Sequence, residues 1–332
     1  MRCPDCKHNQ KYRDGTRCGT CNYRFVFRKK NDRISDFTFR QISQRLSDDG
    51  HQAFTVTQLA LAICRHWRKH YLGPIGYSII ILLISVFVGL MAHPKVGLGV
   101  FLALSVLAML LHRWGKTGLP FGEARKLVER YHQAHPIAAL ADGRAFQRNT
   151  ESVDLEDLSY APERILVVER DDLVDMLIRN RFHLNHKSVV VSRTGYPEKV
   201  FAACREFLKN HPNTPVQILH DASPPGFALT AQLSTEPKWD FAQRSLVDLG
   251  ISRTSLQGGS LLPWLPPPAA KRGAFSGNST KMLSTGHRMP IDYVGPKPLL
   301  SLLGTAVVGG ALLLAAPDAS VGSDISVEAD YG

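Results

Sequence analysis

Acidic side chains are in short supply in this chain. It has 29 Asp and Glu against 40 Lys and Arg, a formal net charge of +11 over 332 residues. An excess of that sign points toward anionic partners. Internal repeats are absent, which argues against a solenoid or repeat array. No cleavable leader is expected, because the first long apolar run begins only at Leu72, behind a cysteine-bearing segment. Cysteine is also scarce, with six residues, and four of them are concentrated at one end. The length allows about two domains plus membrane segments.

Those four form two knuckles, Cys3-Pro-Asp-Cys6 and Cys18-Gly-Thr-Cys21, separated by eleven residues. Four thiolates at this spacing can close a tetrahedral zinc site, replacing the core that so short a segment cannot build. A pair of disulfides or redox dithiols is the alternative, disfavoured when no leader directs the chain to an oxidising compartment. A structural zinc ribbon is expected over residues 1–30, with Cys3, Cys6, Cys18 and Cys21 as ligands and no open position for catalysis. Cys64 and Cys204 fall on apolar helical faces and are expected in the core. Residues 31–71 read as a small helical or winged-helix-like module, with helices at Asp36–Leu46 and Thr57–His70 around Ser47-Asp48-Asp49-Gly50.

Two membrane segments are expected over residues 72–112. Leu72 to Met91 carries no charge, and Val96 to Leu111 is a second apolar run beyond His93-Pro94-Lys95. Their lengths bracket the lower range for a spanning helix, and the short connection makes a hairpin. Arg65, Arg68 and Lys69 precede it and Arg113, Lys116, Arg125 and Lys126 follow, placing both flanks on the cytoplasmic side of an inner membrane. Anionic lipid is thus one expected partner. A buried core helix pair is the alternative. A third apolar run, residues 299–317, is expected to span as well, with 318–332 an acidic tail; a helix covering the α/β domain is the competing reading. Residues 251–298, rich in Ser, Gly and Pro, read as a mostly irregular linker.

Residues 120–250 carry the chemistry. A leading amphipathic helix at Gly122–His135 is followed by Ile165-Leu166-Val167-Val168-Glu169, a helix at Asp171–Phe182, Ser188–Ser192 closed by Thr194-Gly195-Tyr196-Pro197, a helix at Val200–Leu208, and Val216–Leu219 leading into His220-Asp221-Ala222-Ser223-Pro224-Pro225-Gly226. Strand, helix, strand, helix, strand is a doubly wound parallel unit. Acidic groups at the carboxyl ends of such strands lie where an open sheet gathers its ligands, and two or three of them hold a hard divalent cation. Glu169 and Asp221 could equally be strand-end groups at the starts of the following helices.

On Val168-Glu169, Gly195-Tyr196-Pro197 and Asp221-Ala222-Ser223-Pro224-Pro225-Gly226, residues 160–250 resemble the Toprim domain of the A subunit of type IIB topoisomerases and its meiotic double-strand-break relatives. The resemblance implies an α/β fold with a Toprim-like parallel sheet flanked by helices, here joined to a four-cysteine zinc ribbon and a transmembrane α-helical hairpin. It also implies magnesium held by a glutamate and an Asp-x-Asp pair, and phosphodiester chemistry. Glu169 and Asp221 match the glutamate and the first aspartate, as catalytic and metal-binding candidates. Ser223 stands in place of the second aspartate; it and Gly195 are the cofactor-binding candidates. The family's strand-cleaving tyrosine lies in a winged-helix domain ahead of Toprim and has no counterpart here. Tyr71 borders a membrane segment and Tyr131 sits in the amphipathic helix.

Residues 1–71 hold fifteen Lys and Arg against six Asp and Glu, a balance of +9, whereas residues 151–250 hold eleven against fifteen, a balance of −4. The basic excess therefore lies on the ribbon side, away from where a domain clamping duplex DNA would need it. Two expectations follow. One is a membrane-anchored binding or regulatory protein whose degenerate Toprim-like domain recognises nucleic acid, a nucleotide or a protein partner. The other is a magnesium-dependent phosphodiester enzyme at the membrane, with Ser223 holding a metal-bound water.

Overall fold

The computed structural model describes residues 1–69, 74–91, 93–114, 118–146, 162–241, 244–257, 262–270, 272–275 and 277–310. At the amino terminus the two knuckles are built alike. The Cys3 N–H donates to His8 O and the Cys18 N–H to Tyr23 O, while Lys7 and Asn22 donate back to Cys3 O and Cys18 O. Lys7 and Asn22 both take a left-handed backbone, with φ of 61° and 62°, which turns each knuckle so that its two thiols converge.

Helix α1 (Asp36–Leu46) starts at Ser35, whose hydroxyl caps the Thr38 N–H at 3.2 Å. A two-residue strand, β1 (Phe54–Thr55), leads into α2 (Val56–Lys69). Helices α3 (Pro74–Met91) and α4 (Pro94–Trp114) follow and pack against each other. Next come α5 (Phe121–Ala134) and β2 (Leu140–Ala141), which pairs in parallel with β1. The α5 core face is Ala124, Leu127, Val128 and Tyr131, the i, i+3, i+4, i+7 pattern of an amphipathic helix. It packs on α2, so the helical module expected over 31–71 is completed by a helix from beyond the hairpin.

The main sheet comprises β3 (Arg164–Val168), β4 (Ser188–Ser192), β5 (Val216–Leu219) and β6 (Leu246–Asp248), all parallel, in the order β4-β3-β5-β6. Helix α6 (Asp171–Arg179) connects β3 to β4 and α7 (Glu198–Asn210) connects β4 to β5. Burial on both faces explains why the strands read as continuous apolar runs. Leu166, Val168, Val190 and Leu219 face the larger core, which also takes Phe39, Leu59, Val128 and Leu303. Ile165, Val167, Val191 and Ile218 face a second core with Val200, Cys204, Trp239 and Phe241. The amino-terminal helices and the α/β unit thus share one interior.

The carboxyl-terminal third departs from expectation. The described part of residues 262–294, a stretch read as an irregular linker, forms a packed strap. Trp264 and Leu265 are each 1% exposed, and Trp264 pairs with Ala274, Leu265 with Arg288, and Met289 with Ala222. Composition concealed this, because prolines and glycines dominate the count while Trp264, Leu265, Met289, Ile291 and Tyr293 bury the surface.

The third apolar run is corrected similarly. Its described part is α8 (Pro296–Gly309), fourteen residues and about 21 Å long at 1.5 Å per residue, short of the roughly 30 Å hydrocarbon core. Leu299, Leu303, Ala306 and Val307 are buried, and Gln217 of β5 donates to Val307 O at 2.8 Å. It covers the sheet, as in the competing reading. Residues 311–332, with the expected acidic tail, lie outside the described residues, as do Tyr71 and residues 147–161.

Among the described residues no helix is long and apolar enough to cross a membrane, so the expected spanning hairpin is not shown as a complete crossing. Of α3, side chains are described from Ile81 onward. There, and among the described side chains of α4 up to Val106, apolar side chains point outward, with Leu83 64%, Phe87 61%, Leu90 82% and Leu98 62% exposed.

Candidate functional site

The strand order reverses at β3. The chain crosses to β4 on one side and returns to β5 on the other, so the crevice between the carboxyl ends of β3 and β5 is the sheet's switch point. Glu169 and Asp221 sit on that rim together. Glu169 Oε2 accepts the Asp221 backbone N–H at 2.8 Å. Burial, then the charge of Asp221, raises the Glu169 carboxyl above its ordinary range.

The Asp221 carboxylate is 0% exposed and both its oxygens are occupied. Oδ2 accepts from Arg288 Nη1 at 2.7 Å, and Oδ1 accepts the Ile291 N–H at 2.8 Å. Arg170 lies behind, its Nε 3.8 Å from Asp221 Oδ2 and 3.4 Å from Asp172 Oδ1, and its Nη2 2.8 Å from Asp292 Oδ1. Arg170 Nη1 donates to the Thr57 hydroxyl, and the Thr55 hydroxyl donates to Asp292. Burial alone would lower the Arg170 pKa, but Asp172, Asp221 and Asp292 outweigh it and keep the guanidinium charged. Asp172 is pushed up to about 6, first by burial and then by Asp292 and Asp221 against the pull of Arg170.

The other two candidates have structural work. The Ser223 hydroxyl accepts the Gly226 N–H at 3.0 Å as the amino-terminal cap of the turn Pro224–Phe227. Gly195 has φ +90°, and a Cβ there would lie 2.9 Å from the Phe201 ring. Its neighbour Tyr196 donates to Asp175 Oδ1 at 2.5 Å, so the Gly-Tyr-Pro turn anchors β4 to α6. Tyr131, 4% exposed, accepts from the Tyr23 hydroxyl at 3.1 Å and ties the ribbon to α5.

A divalent cation does not fit this rim. A hard cation needs several free oxygen ligands, whereas each Asp221 oxygen already accepts from a guanidinium or an amide and Ser223 serves as a cap. Among the described residues the only group of cysteine, histidine or carboxylate ligands able to hold a metal ion is Cys3, Cys6, Cys18 and Cys21. Their sulfurs all lie within 4.8 Å of one another, with Cys3–Cys21 at 3.4 Å and Cys6–Cys18 at 3.5 Å, and none is in a disulfide. A tetrahedral Zn–S₄ site places sulfurs roughly 3.8 Å apart, so these four fit. Backbone N–H groups of Cys21 and Thr20 draw the Cys18 thiol down to about 6, while burial pushes Cys3 up to about 12, so the set offers one ready thiolate and a metal must displace protons from the others.

Sequence reasoning found Glu169 and Asp221 but missed Arg170, Asp172, Arg288 and Asp292. Arg170 and Asp172 flank the strand end and were open to notice. Arg288 and Asp292 arrive from the strap, and no local pattern marks them.

Residues 164–236 match the family model for the Toprim domain of Spo11 and the topoisomerase 6 A subunit. The sheet is therefore Toprim-like over less than a quarter of the chain, a domain type associated with nucleic acid. No curated protein and no solved structure matches the chain.

Proposed function

We propose that this protein is a membrane-associated binding or regulatory module for nucleic acid, in which a Toprim-like domain has exchanged its metal for arginine. One observation carries the reading: Asp221 is closed by Arg288 and the Ile291 amide, with Arg170 behind it. A guanidinium here supplies the positive charge that a cation would otherwise bring, without a Lewis-acid centre or a bound water. Tyr131, the tyrosine of the amphipathic helix, is buried and bonded to Tyr23 and so is not presented to the rim. The magnesium-dependent enzyme is the lesser reading for the same reason.

Titrating the full-length, detergent-solubilised protein with Mg²⁺ or Mn²⁺ by calorimetry tests this. The whole chain is required, because the α/β unit shares its core with α1, α2, α5 and α8. The expected result is no binding attributable to the rim. Binding that Glu169→Gln abolishes would restore the enzyme.

The ribbon is read as a zinc site, supported by the converging thiols. Membrane association through α3 and α4 is supported by their outward apolar side chains and by the uncharged stretch from Leu72 to Met91. The ribbon and the Toprim-like unit then lie together on the cytoplasmic side of an inner membrane. Part of the basic flank has protein partners: Arg65 donates to Tyr293 O at 2.5 Å, and Arg68 lies 4.8 Å over the Phe275 ring. Single cysteines placed at His93 or Lys95 are expected to react only with reagent outside the cell. Reaction from the cytoplasmic side alone would remove the hairpin.

A further inference from the structure

Beside the rim lies a cavity of about 390 Å³, bounded by the first turns of α2 and α6, the turn after β2 and the strap. Four arginines line it, Arg125, Arg144, Arg170 and Arg288. Its size falls within the range of about 300–1,000 Å³ typical of small-ligand sites.

Each carboxylate in its wall has a partner, and Asp172 meets a cation. Asp142 Oδ1 accepts the Arg144 backbone N–H at 3.1 Å, Asp171 Oδ1 accepts the Thr194 hydroxyl at 2.9 Å, and Asp172 faces Arg170. Two of the cations have no buried ion-pair partner among the described residues. The Arg144 guanidinium has no ion-pair partner among the described residues, and Arg125 meets only Glu129, an exposed pair at i, i+4 of the kind that contributes little. Helix α6 also begins without a side-chain cap, since Arg170 at its N-cap position makes no such bond. Its first N–H groups are available to an anion. Gly143 (φ +79°) opens this approach, because a Cβ there would lie 3.0 Å from the Asp172 nitrogen.

We propose that this cavity binds a phosphate monoester, on a free nucleotide or at the 5′ end of a nucleic-acid strand. Arg144 and Arg125 grip it against the uncapped start of α6. Planar guanidinium forks suit phosphate oxygens, and the remaining volume admits the attached sugar and base. The proposal rests on the metal-free reading of the rim, since the positive charge comes from the chain itself.

The test is calorimetry on the full-length protein in magnesium-free buffer. Its probes are inorganic phosphate, AMP, adenosine, and a short single-stranded DNA with either a 5′-phosphate or a 5′-hydroxyl. AMP is expected to bind at least about tenfold more tightly than adenosine, as loss of charge-assisted hydrogen bonds implies. Tighter binding of the phosphorylated than the hydroxyl strand places the monoester on nucleic acid; preference for AMP alone places it on a free nucleotide. Arg144→Gln and Arg125→Gln should each weaken binding about tenfold with the melting temperature unchanged. Equal binding of the phosphorylated and unphosphorylated probes, no binding of any probe, or indifference to both substitutions would overturn the proposal. Failure of the metal-free reading is seen separately, as Mg²⁺ binding lost with Glu169→Gln.

Discussion

Arg170→Met should lower the unfolding free energy by about 3–5 kcal/mol, the cost of leaving buried carboxylates without their counter-ion. Arg170 contacts Asp172, Asp221 and Asp292, and the last two are 0% exposed. Methionine approximates the volume of the side chain, so the loss reports charge and hydrogen bonding more than a cavity. Denaturant unfolding of the substituted protein measures it, and a loss below about 1 kcal/mol would mean that the network is not a determinant of stability. The network also sets a pH dependence. Asp172 titrates at about 6 in the folded chain against an ordinary value of 3.8. Within that window the folded chain holds a proton that the unfolded chain has released. The stability from Asp172 is therefore greatest at the acidic end and falls as pH rises through about 6.

Cys18→Ser should reduce bound zinc from about one per chain to none by elemental analysis, and Cys3→Ser should do the same. The ribbon's own core is only Cys3, Cys18, Tyr23 and Phe25, with Met1 partly buried beside them. Structural zinc supplies about 10–16 kcal/mol in isolated fingers, far more than that apolar cluster. The ribbon should therefore unfold on metal loss. The body should persist, since its interior is built from α1, α2, α5 and the sheet. A purified protein free of metal with an ordered ribbon would refute the site.

Much of the local structure was open to sequence reasoning. The helix expected at Asp36–Leu46 appears with those bounds, and the three strands after Glu163 appear within a residue of expectation at their ends. These elements are governed by near-neighbour chemistry: an N-cap serine, apolar residues at helical period, and β-branched runs. The knuckles were equally plain, because four thiols at fixed spacing constrain the chain between them.

The rim was half legible. Glu169 and Asp221 mark the ends of β3 and β5, and the strand order brings them together. That Asp221 faces guanidinium groups instead of a cation depends on Arg288 and Asp292, delivered by a strap some seventy residues downstream whose proline-rich composition reads as linker. The same holds for α8, whose apolar run is long enough to suggest lipid until the sheet is there to receive it. The amino-acid order alone determined which segments form ribbon, helices and strands, since those choices depend on residues a few positions apart. Only the tertiary structure decided which charges meet and which apolar faces find protein, because those contacts join positions the chain separates by dozens of residues or more.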